Sequence, residues 1–76
     1  MKGKKEFSVY WWSADGSQHE ELRFVDVDTA MNRVMTLVKG PASKLGLVAR
    51  VIITDGGDFT CFEWLKDKGL VYPPIT

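Results

Sequence analysis

Residues Leu47–Leu65 read LVARVIITDGGDFTCFEWL, two apolar runs on either side of a glycine pair. Glycine adopts positive φ angles without steric cost, and a tight two-residue turn requires such angles. We therefore expect Gly56 and Gly57 to form the turn of a β-hairpin. With this turn, Val51 in the first strand lies opposite Phe62 in the second.

The two faces of this hairpin follow from the pairing, because directly opposed residues share a face of the sheet. One face is almost entirely apolar and is expected to be core: Ala49, Val51, Ile53, Thr60, Phe62 and Trp64. The other face carries an opposed charge pair, Arg50 with Glu63. Its remaining members are Val48, Ile52, Phe59 and Cys61. A shift of one residue would drive Arg50 into the core, so the charge pair supports this register.

A second hairpin is predicted around Asp15-Gly16, a dipeptide typical of tight turns. Its strands occupy Phe7–Trp12 and Glu20–Val25. The pairs expected from a two-residue turn include Trp12 with His19, Val9 with Leu22 and Phe7 with Phe24. The inner face then consists of Phe7, Val9, Leu22 and Phe24, with Trp11 at its margin. The outer face consists of Ser8, Tyr10, Trp12, His19, Glu21 and Arg23.

A helix is predicted at Thr29–Lys39, because the apolar residues of this segment recur at helical spacing. They are Ala30, Met31, Val34, Met35, Leu37 and Val38. Asp28 is expected to cap the start of the helix, and Gly40 followed by Pro41 to end it. Pro41–Leu45 would add a short helical turn.

The predicted order of elements is ββαββ, which places the protein in the α+β class. The helix returns the chain so that the first and third strands can pair in a four-stranded antiparallel sheet of order 2-1-3-4. The helix packs on one face of this sheet. We expect residues 1–76 to form a single domain, with residues 1–5 disordered and residues 66–76 forming an extended C-terminal tail.

Charge and cysteine content narrow the class of protein. The chain has ten basic and ten acidic residues among 76, so it has no overall field that would attract nucleic acid or an anionic membrane. Its single cysteine excludes an internal disulfide and suits a reducing cytosol. No apolar stretch is long enough to span a bilayer, and the first residues lead into no signal-peptide core. We predict a cytoplasmic protein without a membrane partner.

The outer sheet face is the candidate binding surface. It is expected to carry Tyr10, Trp12, His19, Arg23, Arg50 and Phe59. Exposed aromatic residues beside arginines are typical of protein interfaces and of base-stacking platforms. We favour a non-enzymatic domain that self-associates or binds a protein partner through this face. The alternatives are a single-stranded nucleic-acid-binding module that uses the same face, and a face covered by residues 66–76 and therefore ordinary core.

The sequence offers little evidence for a catalytic site or a metal site. Cys61 and His19 are the only thiol and imidazole, and the predicted order separates their strands by about 14 Å. That distance is too long for a nucleophile–base pair. Asp55 and Asp58 flank the glycine pair without further oxygen ligands at calcium-loop spacing. We expect no catalytic residue, no metal site and no cofactor.

Three segments together resemble a family of short bacterial proteins to which no function is assigned. They read FSVYWW, EELRFVDVDTA and ARVIITDGGDFTCFEW. The resemblance covers most of Phe7–Pro74 and involves strand, turn and helix-start positions. It implies a bacterial, cytoplasmic origin, and it implies no activity, ligand or catalytic residue.

Overall fold

The computed structural model describes residues 5–72. This range contains five strands and two helices. Their bounds are β1 Phe7–Ser13, β2 Gln18–Val25, α1 Val27–Lys39, α2 Pro41–Lys44, β3 Val48–Thr54, β4 Thr60–Leu65 and β5 Gly69–Tyr72. All strands pair antiparallel in one sheet of order β2-β1-β3-β4-β5. Helix α2 is a single turn at the end of α1.

This architecture confirms the α+β class and the order of the first four strands, but the predicted count of four strands is wrong. The chain turns after β4 and returns as β5, where Leu70 lies opposite Trp64. The part of the tail at 69–72 therefore widens the sheet. Residues 1–4 and 73–76 lie outside the described residues. They include most of the segment 1–5 that was predicted to be disordered and the end of the predicted tail.

The β1–β2 turn contains three residues, one more than predicted. The Ser13 amide donates to the Ser17 carbonyl at 2.9 Å, and Gly16 takes a φ of 92° at the third loop position. A loop of this length that ends in a left-handed residue is a common hairpin connection. The Asp15 carboxylate accepts hydrogen bonds from the Ser17 amide and the Ser13 hydroxyl, which closes the turn.

The β3–β4 turn also contains three residues, so the prediction of a two-residue glycine turn is wrong. The Asp55 amide donates to the Phe59 carbonyl at 2.9 Å. The left-handed position is occupied by Asp58, with a φ of 63°, and not by either glycine. Aspartate tolerates this conformation better than most residues do.

The longer turns shift the pairing registers, and a register irregularity between Ile53 and Thr54 adds a further residue in the second hairpin. In the second hairpin Val51 lies opposite Trp64, two residues from the predicted partner Phe62. A shift of two preserves the faces, because side chains alternate with a period of two. Val48 is an exception: predicted beside Arg50 on the other face, it is fully buried in the core, beyond a register shift between Trp12 and Ser13. In the first hairpin Val9 lies opposite Leu22 as predicted, but Trp12 lies opposite Gln18.

Register shifts on both sides of Val9 change which residues of β2 face the core. Phe24, predicted to be on the inner face, has a φ of 57° and is 59% exposed. Val25 packs against the core in its place. The alternation that the sequence pattern assumed therefore breaks near the end of β2.

Helix α1 begins two residues earlier than predicted. Its N-cap is Asp26, whose side chain accepts a hydrogen bond from the Thr29 amide at 2.8 Å, so the prediction of Asp28 as the cap is wrong. Ala30 and Val34 are fully buried against the sheet, while Met35, predicted as core, is 40% exposed. The helix is amphipathic, as its sequence indicated, with a narrower buried stripe.

The core lies between α1 and the central strands. It consists of Val9, Ala30, Val34, Val48, Val51 and Ile53. Of the strands, α1 contacts β1, β2 and β3. The molecule measures 19 Å along its shortest axis, which accommodates one sheet and one helix about 10 Å wide. Helix α1 packs on the side of Val9, Val51 and Ile53, so it does not cover the outer sheet face. On that face Ile52 is 8% exposed, and Tyr10, Trp12 and Arg50 are partly exposed.

Substitution of Gly16 tests the three-residue turn. No heavy atom lies within 4 Å of a Cβ placed at this glycine, so the effect is one of backbone conformation alone. We expect Gly16→Ala to lower the free energy of unfolding by about 1 kcal/mol, and Gly16→Asn to lower it by less, because Asn tolerates positive φ. Urea denaturation measures both, and equal losses for the two variants would contradict the assigned turn.

The carboxylate in the same turn predicts a pH dependence. The hydroxyl of Ser13 and the amide of Ser17 lower the pKa of Asp15 from 3.8 to about 2. Because the folded-state pKa lies below the unfolded one, the stabilisation is present above about pH 4 and is lost as the pH falls toward 2. NMR titration should give a pKa near 2 for this carboxyl. Asp15→Asn should remove this part of the acid destabilisation, and an unshifted pKa would contradict the turn.

Candidate functional site

Two rows of opposed residues cross the outer sheet face from edge to edge. The first row is Glu20, Tyr10, Ile52, Glu63 and Tyr72. The second row is Gln18, Trp12, Arg50, Leu65 and Gly69. The central positions of these rows point away from α1, because they alternate with the core residues Val51 and Ile53 along β3. We call this set of residues the outer face.

A three-residue contact occupies the middle of the outer face. The Arg50 guanidinium carbon lies 4.6 Å from the centroid of the Trp12 ring, and its Nε donates to the Glu63 carboxylate at 2.7 Å. The sequence pattern predicted a direct pair between Arg50 and Glu63. The ion pair is present, but Arg50 lies opposite Leu65 and reaches its partner diagonally. Trp12 and Glu63 together hold the guanidinium against the sheet.

Arg23 lies at the edge of the sheet, on β2. Its guanidinium is 3.9 Å from the Glu20 carboxylate, and it lies over the Phe24 ring at 5.1 Å from the centroid. Glu20 in turn lies opposite Tyr10. Both arginines that were predicted for this face therefore have a carboxylate and an aromatic ring as partners.

Two of the predicted site residues lie elsewhere. His19 lies opposite Trp11, not Trp12, and its ring stacks on the Trp11 indole at a centroid distance of 4.3 Å. It is therefore on the helix side of the sheet. Phe59 lies in the β3–β4 connection before β4 begins and is 73% exposed. The structure brings Tyr10, Trp12 and Arg50 together and separates them from these two.

A polar cluster on the helix side was missed by the sequence analysis. The Glu21 carboxylate accepts a hydrogen bond from the Trp11 indole at 3.1 Å and forms an ion pair with Arg33 of α1. Glu21 was predicted on the outer face. The register shift between Val9 and Tyr10 turns the glutamate toward the helix. No residue pattern in the sequence marks that shift.

The cysteine also lies on the helix side, and not on the outer face as predicted. Its thiol is 3.5 Å from the Ile53 carbonyl. Burial raises the pKa of the Cys61 thiol, and the carboxylates of Asp55 and Glu6 raise it further. Cys61 on β4 and His19 on β2 are three strand spacings apart, about 14 Å, so they form no catalytic pair.

Two further findings on residues 5–72 concern metal binding and membrane insertion. No three His, Cys, Asp or Glu side chains in this range are placed to share a metal ion. None of the helices in it has the length and apolar character that a membrane crossing needs. The outer face, where Trp12 and Glu63 contact Arg50, is the candidate surface.

A double-mutant cycle tests the contact between Trp12 and Arg50. We expect Trp12→Ala and Arg50→Ala to show a coupling free energy of about 0.5–1 kcal/mol in chemical denaturation. The matched control combines Trp12→Ala with Tyr72→Ala, on strands about 14 Å apart. This control should be additive. Additivity in the Trp12–Arg50 cycle as well would show that the ring and the guanidinium do not interact.

Comparisons with known proteins identify no relative. The chain matches no protein-family model, and no curated protein or solved structure gives a significant match to it. The resemblance to short bacterial proteins without an assigned function stays a prediction. The residues and their geometry are therefore the basis for assigning a function.

Proposed function

We propose that this protein is a small non-enzymatic interaction domain that forms homodimers through the outer face. The observation that carries the proposal is the grouping of Tyr10, Trp12 and Arg50 on a sheet face that no described helix covers. Tyr, Trp and Arg are the residues most enriched at the energetic centres of protein interfaces. An uncovered sheet face that carries all three is typical of a binding surface.

The charges of the outer face favour a protein partner over nucleic acid. Arg50 is paired with Glu63, and Arg23 lies within 4 Å of Glu20. A guanidinium that already has a carboxylate partner gains less from a phosphate, because the carboxylate must be displaced or left unpaired. The chain as a whole has no excess of basic residues. The phosphate-backbone attraction that dominates nucleic-acid binding is therefore weak here.

The same pairing makes the outer face compatible with a second copy of itself. In a two-fold dimer the same patch faces itself, so an excess of one charge would be repulsive. The outer face instead combines rings with internally neutralised ion pairs, and the chain has a net charge of zero. Two sheets can then pack face to face at about 10 Å, with Trp12 near the centre of the contact.

The area of the face limits the size of the dimer interface. Four strand spacings and about six residues along each strand give roughly 19 × 20 Å, or about 400 Å² per copy. Two copies would bury about 800 Å², below the 1,200–2,000 Å² that is usual for stable complexes. We therefore expect a weak, reversible dimer with a dissociation constant in the micromolar range.

Sedimentation across protein concentrations from about 1 µM to about 1 mM measures this self-association. We expect the wild type to change from monomer to dimer within the range. Trp12→Ala should weaken the dimer at least about tenfold, because a central aromatic residue contributes most of the binding free energy. A matched control is Leu45→Ala, since this side chain is 75% exposed but lies at the end of α2, off the sheet.

A strict monomer throughout the range, or equal weakening by Leu45→Ala, would contradict self-association through the outer face. Single-stranded oligonucleotides test the alternative, with fluorescence anisotropy at low salt as the measurement. Salt-sensitive binding that Tyr10→Ala and Trp12→Ala abolish would favour the nucleic-acid function instead. If a different protein binds through the same residues, the outer face is still the binding surface, but its partner is not a second copy of the chain.

A bacterial origin and a cytoplasmic location belong to the same proposal. The resemblance of three segments to bacterial proteins supports the origin. The single cysteine, in a chain without an internal disulfide, supports a reducing compartment. Fractionation of the expressing cell with an antibody to this chain would locate the protein directly.

A further inference from the structure

The charged side chains are unevenly distributed between the two ends of the strands, although their sum is zero. All three arginines form ion pairs with glutamates. At one end of the strands the β1–β2 turn, the end of α1 with α2, and the β4–β5 turn lie together. The charged residues of this end are Lys39, Lys44, Lys66, Lys68, Asp15 and Asp67. Because lysine predominates, we call it the basic end.

The opposite end of the strands is acidic. There the starts of β1 and α1 and the β3–β4 turn lie together. Its charged residues within the described range are Lys5, Glu6, Asp26, Asp28, Asp55 and Asp58. The expectation that no anionic membrane is attracted follows from the net charge of the whole chain, and it does not apply to the basic end taken alone.

Two leucines protrude at the basic end. Leu45 follows α2 and is 75% exposed, and Leu47 precedes β3 and is 51% exposed. Hydrogen bonds hold their backbones: the Leu45 amide donates to the Pro41 carbonyl at 3.0 Å, and the Ala14 amide donates to the Leu47 carbonyl at 2.9 Å. The loop thus keeps two aliphatic side chains in water, and a partner that removes them from water gains free energy.

Lysine ammonium groups lie beside these leucines. The Lys66 Nζ is 3.3 Å from the position that a Cβ would take at Gly46, the residue between the two leucines. A cavity of about 330 Å³ opens beside the loop, and its lining consists of Ala14, Ala49, Leu65, Lys66, Asp67 and Lys68. Within residues 5–72 neither of these lysines has an ion-pair partner. The cavity can therefore accept an anionic group next to the leucines.

A second cavity lacks this combination. It is an apolar groove of about 430 Å³ between α1 and β4, and no basic side chain lines it. Its contacts include Met31 of α1 and Phe62 of β4. The groove offers an apolar wall alone, whereas the basic end offers aliphatic and cationic groups side by side.

The pairing of leucine with lysine favours a lipid surface as the partner of the basic end. Lysine is depleted at protein interfaces, where arginine and aromatic residues are enriched. The segments 14–17, 39–47 and 66–68 contain neither arginine nor an aromatic residue. Nucleic-acid phosphates would pair with lysines but give the leucines no apolar counterpart. An anionic membrane provides headgroups for the lysines and an acyl boundary for the leucines.

We propose that the basic end binds the surface of an anionic lipid membrane. Leu45 and Leu47 insert among the headgroups, and Lys66 and Lys68 contact the lipid phosphates. The contact is peripheral and reversible, because two leucines and a few lysines bury little area. The proposal does not rest on dimer formation, since these residues lie beyond the ends of β3, β4 and β5, whereas the outer face lies on the strands.

Vesicle flotation with the full chain measures this binding. Phosphatidylcholine vesicles with about 30% phosphatidylglycerol should bind at least about tenfold more tightly than pure phosphatidylcholine vesicles at low salt. Lys66→Gln and Lys68→Gln should each weaken the binding about fivefold. The matched control is Lys5→Gln, which removes the same charge at the opposite end and should change nothing. Equal binding to both kinds of vesicle, or an equal loss with Lys5→Gln, would overturn the proposal.

Substitution of a leucine separates insertion from electrostatic attraction alone. Leu45→Lys adds a positive charge and removes an apolar side chain, so insertion predicts binding about threefold weaker. Phe59→Ala is the matched control, because this ring is 73% exposed at the acidic end, and it should leave binding unchanged. A thermal transition checks that each variant folds, and Leu47→Lys repeats the test independently. Tighter binding of the lysine variants would overturn the insertion.

Other anionic partners give different results. If glycerol 3-phosphate, the soluble part of the same headgroup, releases the protein from vesicles at concentrations below that of the lipid, the cavity is a site for a free phosphate. If single-stranded DNA binds more tightly than the anionic vesicles and Lys66→Gln weakens that binding, the partner is a nucleic acid. Either result would overturn the lipid surface as the partner.

Discussion

The pairing of β1 with β3 joins the two hairpins, and the rest of the structure depends on it. Val9 lies opposite Ile53 across this pair, and both side chains are buried beneath Ala30 and Val34 of α1. The two strands are far apart in the sequence, so their pairing carries a larger entropic cost than either local hairpin does. Burial of the central valine and isoleucine side chains offsets this cost.

Both surfaces of interest follow from this central pairing. On the outer face it places the Trp12 ring beside Arg50, a contact that neither hairpin contains alone. On the opposite side it centres the helix over β1 and β3 and leaves β4 and β5 uncovered. A single helix on a sheet of five strands thus yields one aromatic, charge-paired surface and one apolar groove.

The sequence predicted the faces of the central strands better than their registers. Alternation along β3 survives a two-residue shift, so Val51 and Ile53 were correctly predicted as core even though their partners were wrong. One residue of the shift arose because a glycine pair suggested a two-residue turn, whereas Asp58 takes the left-handed position of a three-residue turn. The other comes from a register shift between Ile53 and Thr54. A short last strand followed by proline resembled a tail, so β5 was missed.

The candidate site was predictable only where the alternation is regular. Tyr10, Trp12 and Arg50 occupy the central strands and lie together as expected, although the binding role of the face is still a proposal. His19 and Glu21 lie on β2, where the longer turn and the register shift reverse their sides. A register shift depends on the packing of neighbouring strands, which the local sequence does not encode.

A nuclear Overhauser spectrum of the labelled protein tests the β1–β3 register most directly. We expect close proton contacts between the backbones of Val9 and Ile53, and between the Trp12 ring and the Arg50 side chain. Contacts of Tyr10 with Ile53 in their place would reveal a slip of one residue. That result would exchange the two faces of β1 and contradict both the core and the outer face described above.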